Sequence, residues 1–488
     1  KLYLHPIHPD AHHHEAEEHG PPQQINTITE SAVIFVFGQK KAPEQLQNKR
    51  KETMEAVKIG IAGLGTVGGG TYAVLKRNAQ ELSRRAGAPI EVKTVVCRNI
   101  DRARGIVDER VTLSKDWHDL VNDPEIDIVV EVMGGIEPAK SLVLEAIAAG
   151  KHVVTANKAL LALHGNEIFT AAAEKGVAVS YEAAVAGGIP IIKSLREGLA
   201  ANRIEWIAGI INGTCNFILS TMRDKGLSFE EALAQAKALG YAEADPTFDI
   251  EGIDAAHKIT LLSALAFGTP VNFNAVTVEG ITKLTATDIR YAENMGYRIK
   301  LLGITKRTER GIELRVHPAL VPMRRLLANV EGVMNAVVVK GDAVGSTLFY
   351  GRGAGAEPTA SAVVADLVDI VRMTAAGDAQ ALKPAEHNQE TTQLGWLPMS
   401  QTVSSYYLRI PVADEPGVLA QVARIFAEQS ISIESVLQPE AVIGEKDTEI
   451  VAMTHSALEG SVTAAIEAIE ALPSTRGKVV MIRKEELN

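Results

Sequence analysis

The sequence predicts an α/β chain of several folded parts, and three observations carry that expectation. From residue 57 onward, short apolar runs rich in β-branched residues alternate with helical patterns. The turn Gly63-Leu64-Gly65-Thr66-Val67-Gly68 lies between the first run and the first helix, which is the order of a dinucleotide-binding unit. Beyond residue 405 a second, shorter succession begins in the order βαββαβ. Repeated alternation implies a parallel sheet covered by helices on both faces, so the first part is expected to be Rossmann-type.

Length and composition bound the rest. At roughly 150 residues per domain, 488 residues allow about three units. Hydrophobic residues make up 46% and charged residues 22%, the balance of a globular chain. With 60 acidic against 49 basic side chains the net charge is -11, so there is no global electrostatic case for nucleic acid or an anionic membrane, and a small-molecule partner is expected. Two cysteines, Cys97 and Cys215, can build neither a disulfide framework nor a thiolate metal cluster, which suits the cytoplasm. No apolar run approaches the roughly 18 to 20 residues that cross a bilayer.

Residues 1–53 read differently. They lack methionine, hold six of the 13 histidines and show no sustained period, so they are expected to be a tail outside the fold. Metal binding around His12-His13-His14 is the alternative, weakened because loose histidines with nothing to orient their rings make an unselective site.

The elements follow in order. Residues 57–62 form the first expected strand, followed by a long helical pattern through Tyr72, Leu75 and Leu82. Strands are expected at 90–96, 126–132 and 152–155, with a helix at 139–149 ended by Gly150. In the glycine turn, Gly63 permits a tight bend, Gly65 lets backbone N–H groups approach a pyrophosphate, and Gly68 lets helix and strand pack closely. Gly63, Gly65, Thr66, Val67 and Gly68 are the expected cofactor contacts, although a merely structural turn would also satisfy the pattern. Where an acidic residue would take a ribose 2′-hydroxyl, the sequence has Cys97-Arg98-Asn99, with Arg102 and Arg104 following. A guanidinium can pair with a 2′-phosphate, so Arg98 favours NADP(H) over NAD(H). Solvated arginines at a helix start are the other reading.

The stretch 236–258 is the most unusual polar constellation. Pro246 and Gly252 break its first part into a loop, so Glu243, Asp245 and Asp249 share no helix face and are free to converge. Asp254 and Lys258 stand four apart on the helix expected over 254–266, whose Ile259, Leu262 and Leu265 look buried. A surface ion pair would explain those two alone. A carboxylate loop feeding into a lysine on an apolar helix is suited to binding a cationic amino group and delivering a proton beside it. His257 points about 100° away from Lys258 and reads as structural.

From Ala236 through Gly240, Asp245-Pro246, Asp249, Gly252 and Asp254 to Lys258, the chain resembles the homoserine dehydrogenase signature. Thr155-Ala156-Asn157-Lys158 resembles the segment that supplies that family's second active-site lysine. Tyr181-Glu182-Ala183-Ala184-Val185-Ala186-Gly187-Gly188-Ile189-Pro190 resembles its substrate-domain entry. The resemblance runs from about Val57 to Arg372 and includes Gly351-Arg352-Gly353-Ala354-Gly355. It implies NAD(P)-dependent interconversion of L-aspartate 4-semialdehyde and L-homoserine, in threonine, methionine and isoleucine biosynthesis. Lys258, with Lys158 beside it, would supply a proton and positive charge to the developing alkoxide. Glu243 and Asp249 would hold the substrate ammonium, and Asp254 would orient the substrate or a bridging water and Lys258. Lys158, Gly240 and Gly353 would lie near the cofactor. Glu182, Val185, Gly187 and Ile189 would match a monovalent-cation site, usually sodium, unless that turn only connects two domains.

Strand-rich sequence between residues 200 and 350, for example 312–316 and 333–340, predicts an antiparallel or mixed sheet. The resemblance makes this α+β part the substrate-binding and dimerisation domain of a homodimer or homotetramer. Asn212-Gly213-Thr214-Cys215-Asn216 follows a strand-like run at 204–211, its amides could line the cleft, and Cys215 reads as a packed residue. The expected domains are a tail at 1–53, a nucleotide domain at 54–183 completed by a helix at 359–373, a substrate domain at 184–358, a linker at 374–404 and a regulatory domain at 405–488. In the last, Asp414-Glu415-Pro416-Gly417-Val418-Leu419 resembles the ACT amino-acid-sensing module, with Gly417 opening a helix whose N–H groups could meet an effector carboxylate. The resemblance makes threonine the expected effector; ligand-free subunit pairing is the alternative. Two other functions compete. A different NADP-linked amino-acid or aldehyde dehydrogenase should lack the spacing of the carboxylate loop to Lys258. A non-catalytic amino-acid sensor should lose Lys258, Lys158 or the glycines.

Overall fold

The computed structural model describes residues 55–375, 394–439 and 446–487. The expected tail and most of the expected linker lie outside the described residues.

Six strands form the first sheet: β1 (Val57–Ala62), β2 (Ile90–Val96), β3 (Thr112–Ser114), β4 (Ile128–Glu131), β5 (His152–Thr155) and β6 (Val179–Ser180). Their order is β3-β2-β1-β4-β5-β6, and every pairing is parallel. β4 is buried at all of its positions, as expected of an apolar run covered on both faces. The order reverses between β1 and β4, where a doubly wound sheet opens a crevice beyond its strand ends.

The helical pattern after the glycine turn is not one helix. It breaks at Asn78 into α1 (Thr66–Arg77) and α2 (Ala79–Ala86), with Asn78 at φ −107° and ψ 15° closing the first. The hydrophobic period runs through the break, but asparagine competes for local backbone bonds and favours a cap. α3 (Lys158–Lys175) follows β5 directly and is capped by the Asn157 side chain, which accepts from the Leu160 N–H.

The second sheet contains β7 (Ile204–Ile210), β8 (Thr277–Val278), β9 (Tyr297–Thr308), β10 (Gly311–Pro322), β11 (Met334–Gly341) and β12 (Gly345–Arg352). Against it lie α4 (Gly213–Lys225), α6 (Ile253–Phe267) and α7 (Ala286–Asn294), while the short α5 (Thr247–Ile250) packs on α4 and α6. α6 seats Ile259 where Gly303 of β9 has no side chain; a Cβ there would stand 3.2 Å from that residue. α8 (Ala356–Ala375) returns to α1, and Ala360, Val363, Leu367 and Ile370 share a core with Tyr72, Val74 and Leu75. Gly70 allows the approach, because a Cβ on it would lie 2.5 Å from the Ala356 carbonyl oxygen.

The C-terminal module has β13 (Val403–Ala413), α9 (Val418–Glu428), β14 (Ile433–Leu437), β15 (Asp447–Thr454), the short β16 (Ala457–Leu458), α10 (Glu459–Glu470) and β17 (Val480–Lys484). The expected C-terminal unit forms, and its sheet joins that of the preceding part. β17 pairs in parallel with β10, Ala319 against Arg483 and Leu320 against Lys484, so one eleven-stranded sheet runs through both parts. All twelve residues of β10 are buried, and its second margin is covered piecewise. Trp396 bridges to Ile312, β8 pairs with Arg315 and Val316, and β17 closes the far end. A long buried strand cannot leave its backbone groups unpaired, which is the physical reason for the cover. The expected linker is correspondingly shorter, since α8 continues to Ala375 and the Leu397 N–H donates to the Ile312 carbonyl at 2.8 Å.

Candidate active site

The three glycines of the turn meet different constraints. Gly63 has φ +104°, and a Cβ on it would lie 2.6 Å from the Val132 carbonyl oxygen. A Cβ on Gly68 would fall 2.0 Å from the Gly63 carbonyl oxygen, so the fold itself demands both glycines. At Gly65 a Cβ would meet nothing within 4 Å, and its φ of −79° suits any residue. A side chain added there would occupy open space at the start of α1, where the turn of a dinucleotide-binding unit receives its ligand. Thr66 and Val67 are the first residues of that helix. Gly65→Ala is therefore expected to leave thermal unfolding unchanged and to weaken NADPH binding about 10-fold or more, read by fluorescence titration.

A cavity of about 550 Å³ opens beside the turn, lined by Gly63, Gly65, Arg98, Asn99, Arg102 and Lys115 among others. Three cations, Arg98, Arg102 and Lys115, line it past the ends of β2 and β3, and its lining also includes Glu137. The far side of the crevice is braced by Glu131, which is fully buried and accepts from the N–H groups of Met133 (2.9 Å) and Gly134 (3.3 Å) and from the Thr155 hydroxyl (2.6 Å). Burial raises its pKa despite those donors. Asn157 then ties α3 back to the same loop by donating to the Gly135 carbonyl at 2.7 Å.

Lys158 opens α3 and reaches across to α6, where its Nζ lies 3.1 Å from Asp254 Oδ1. Asp254 Oδ2 accepts from Lys258 Nζ at 2.7 Å and from Asn212 Nδ2 at 2.9 Å. Lys258 Nζ also donates to the Ile211 carbonyl at 2.7 Å. Both expected lysines therefore converge on one buried carboxylate. Burial alone would raise the pKa of Asp254; the two ammonium groups outweigh it and hold the carboxyl well below the usual range.

The carboxylate loop converges only in part. It is not loop throughout, since 247–250 forms the helical turn α5, and Gly252 at φ +83° leads into α6. Asp249 joins the cluster, 2.7 Å from Asn212 Nδ2, and burial followed by the charge of Asp254 raises its pKa. Asp245 turns back to the N–H and hydroxyl of Thr247. Glu243 is exposed, and no described hydrogen bond or ion pair joins it to Asp249 or Asp254. Gly240, at φ +74°, starts the swing of this loop, which the Thr214 hydroxyl anchors by donating to the Tyr241 carbonyl at 2.7 Å.

His257 is buried between the rings of Phe248 and Phe273, and burial, then Lys158, lowers its pKa to about 4. It sits in an aromatic pocket, in keeping with the structural reading. Cys215 is fully buried, burial raises its thiol pKa, and its sulfur contacts the Asp249 carbonyl at 3.2 Å, the setting of a packed residue.

Around the expected cation site, Glu182 is already engaged. Its carboxylate accepts the N–H groups of Ile192 (2.9 Å) and Lys193 (2.8 Å), capping the turn that follows. The carbonyls of Val185 and Gly187, both buried, accept no hydrogen bond among the described residues, whereas that of Ile189 accepts the Ile191 N–H at 2.8 Å. Buried carbonyl oxygens with free lone pairs fit a hard cation. Gly187 packs against Gly353, where a Cβ would lie 2.4 Å from the Gly353 carbonyl oxygen, and Gly353 in turn lies under the Asn335 amide.

Sequence reasoning missed Glu131, Lys115 and the Ile211 carbonyl. A lone glutamate at the end of an apolar run, followed by Val-Met-Gly-Gly, was the available signal for the first. Lys115 lies past the third strand, outside the glycine-turn pattern, and a backbone acceptor carries no sequence signal.

A doubly wound sheet with a glycine turn, opening toward a lysine held among carboxylates, defines an oxidoreductase with an NAD(P)-binding domain. Residues 63–182 match the family model "Homoserine dehydrogenase, NAD binding domain", residues 190–368 match "Homoserine dehydrogenase", and residues 406–474 match "ACT domain". A homoserine dehydrogenase of Pseudomonas aeruginosa is 58% identical over 437 residues, covering 89% of this chain and 100% of that one. The crystal structure of a homoserine dehydrogenase from Thiobacillus denitrificans, also 58% identical, superposes with a TM-score of 0.84 and covers 89% of this chain and 99% of that one. A hyperthermophilic archaeal homoserine dehydrogenase solved in complex with NADPH is 26% identical, with a TM-score of 0.56 over 65% of this chain and 98% of that one. The chain belongs to the homoserine dehydrogenase family. Among the described residues no helix is long and apolar enough to cross a membrane.

Proposed function

We propose that the chain interconverts L-aspartate 4-semialdehyde and L-homoserine with NADP(H), Lys258 serving as the proton donor in aldehyde reduction. The observation that carries this reading is the state of the Lys258 ammonium. Of its three N–H donors, two are taken by the Ile211 carbonyl and Asp254, which leaves one for a substrate oxygen. The bound nicotinamide supplies the hydride. The chain's part is to meet the alkoxide that hydride addition creates with a proton and positive charge from Lys258, while Lys158 adds a second ammonium on the same carboxylate. Asp254 orients both lysines, and Asp249 receives the substrate ammonium, with Glu243 brought in from the exposed loop. Val185 and Gly187 would hold a monovalent cation, sodium by chemical class, through their carbonyls, beside Ile189 and Glu182.

Arg98, Arg102 and Lys115 around one cavity support NADP(H) over NAD(H), as does the NADPH complex of the archaeal relative. Arg98→Ala is expected to lower kcat/KM with NADPH about 10-fold or more and to leave that with NADH nearly unchanged, because a charge-assisted hydrogen bond to a 2′-phosphate exists only for the first. The C-terminal module supports feedback by L-threonine. Gly417, at φ +94° and open to solvent, starts α9 and presents its first N–H groups. The proposed setting is threonine, methionine and isoleucine biosynthesis, by a homodimer or homotetramer in the cytoplasm, which its two free cysteines suit. The test is a rate assay with L-homoserine and each nicotinamide cofactor, with and without threonine. Turnover preferring NADP+ and slowed by threonine is the expected result; no homoserine-dependent reduction of either cofactor would overturn the assignment.

A further inference from the structure

We propose that Asn212 is a positioning residue that holds the carboxylates of Asp249 and Asp254 at a fixed spacing through a single amide. The inference rests on the reading of Asp249 as the ammonium receptor. Asn212 ends the segment after β7 and is the N-cap of α4: its Oδ1 accepts the Cys215 N–H at 2.8 Å. That bond settles which way the amide faces. Because the carbonyl oxygen is committed to the helix, the NH2 group must point the other way, and it donates to Asp249 at 2.7 Å and to Asp254 at 2.9 Å.

One planar group therefore bridges two acids carried by different helices, in a place where Asn212 itself is only 5% exposed. The two acids are not equally supplied with cations. Asp254 has both lysines, whereas the Asp249 carboxylate faces the Asn212 amide, Asp254 and the more distant Lys258. Burial and the neighbouring Asp254 push Asp249 toward its neutral form, and the Asn212 amide, then Lys258, oppose this. A neutral acid would bind an ammonium ion poorly, so the amide sustains the charge that the substrate needs.

The cap makes the two jobs of this residue separable. Serine is an equally good N-cap, so Asn212→Ser keeps α4 and deletes the bridging donor. The expected result is NADPH binding close to that of the parent, KM for L-homoserine raised about 10-fold or more, and an acid limb of the kcat/KM profile displaced upward by about one pH unit. Asn212→Asp, which also caps, should shift both further because it adds a third carboxylate. Asn212→Ser with the parental KM and pH profile, while Asp249→Asn raises KM, would overturn the role of Asn212 alone. Asp249→Asn without effect on KM would overturn the ammonium reading and this inference with it.

Discussion

Lys258→Ala is expected to lower kcat by about 10²- to 10⁴-fold while NADPH affinity stays near that of the parent. Lys258 is 8% exposed and belongs to α6, on the substrate side of the cleft. Its removal leaves the glycine turn and the arginine-lined cavity untouched. Asp254 keeps Lys158 and Asn212 as partners, so the deletion does not strand a buried carboxylate. On the proposed chemistry, what disappears is the donor that acts as the alkoxide forms, which is a transition-state interaction and so falls on kcat. Single-turnover kinetics with NADPH and the semialdehyde would isolate that step. Parental turnover with weakened cofactor binding would remove Lys258 from the chemistry.

Arg483→Ala should destabilise the folded chain by about 3 to 5 kcal/mol, measured by denaturant unfolding. Arg483 is 2% exposed and donates to Glu459 at 2.9 Å and to Glu279 at 3.0 and 2.7 Å. Glu459, also buried, would be left with the Tyr406 hydroxyl at 2.9 Å as its remaining side-chain donor, an uncompensated charge in a dry place. Arg483→Lys should recover only part of the loss, because one ammonium cannot serve both carboxylates in the forked geometry. A variant as stable as the parent would show that solvent reaches Glu459.

The difference between these two predictions also separates what the sequence reveals from what it hides. The first sheet was legible because buried parallel strands are short apolar runs, and β1, β2 and β5 fall at the expected residues. α6 was legible because Asp254 and Lys258 share a face at helical spacing. Asn78 was not, since its break leaves the apolar period intact. Convergence of the carboxylate loop was half legible: Asp249 arrives through α5, whereas Glu243 and Asp245 remain outside the cluster. Whether a loop carboxylate turns inward depends on a partner far away in the chain, here Asn212. The same reason hid the network around Arg483. Charged residues in an alternating strand read as its wet face, and only the arrival of Glu279 and Glu459 from other segments makes burial affordable.

Among the described strands, β17 is synthesised last, yet it is an interior rung of the larger sheet. During translation β10 therefore waits with part of one flank bare until the C-terminal residues have left the ribosome. That part is the apolar pair Ala319 and Leu320, and an apolar strand segment with open backbone groups recruits another chain if its own cover arrives late. Truncation within β17 would accordingly uncover an adhesive strip at the middle of the molecule, and the damage would fall on solubility before it fell on regulation.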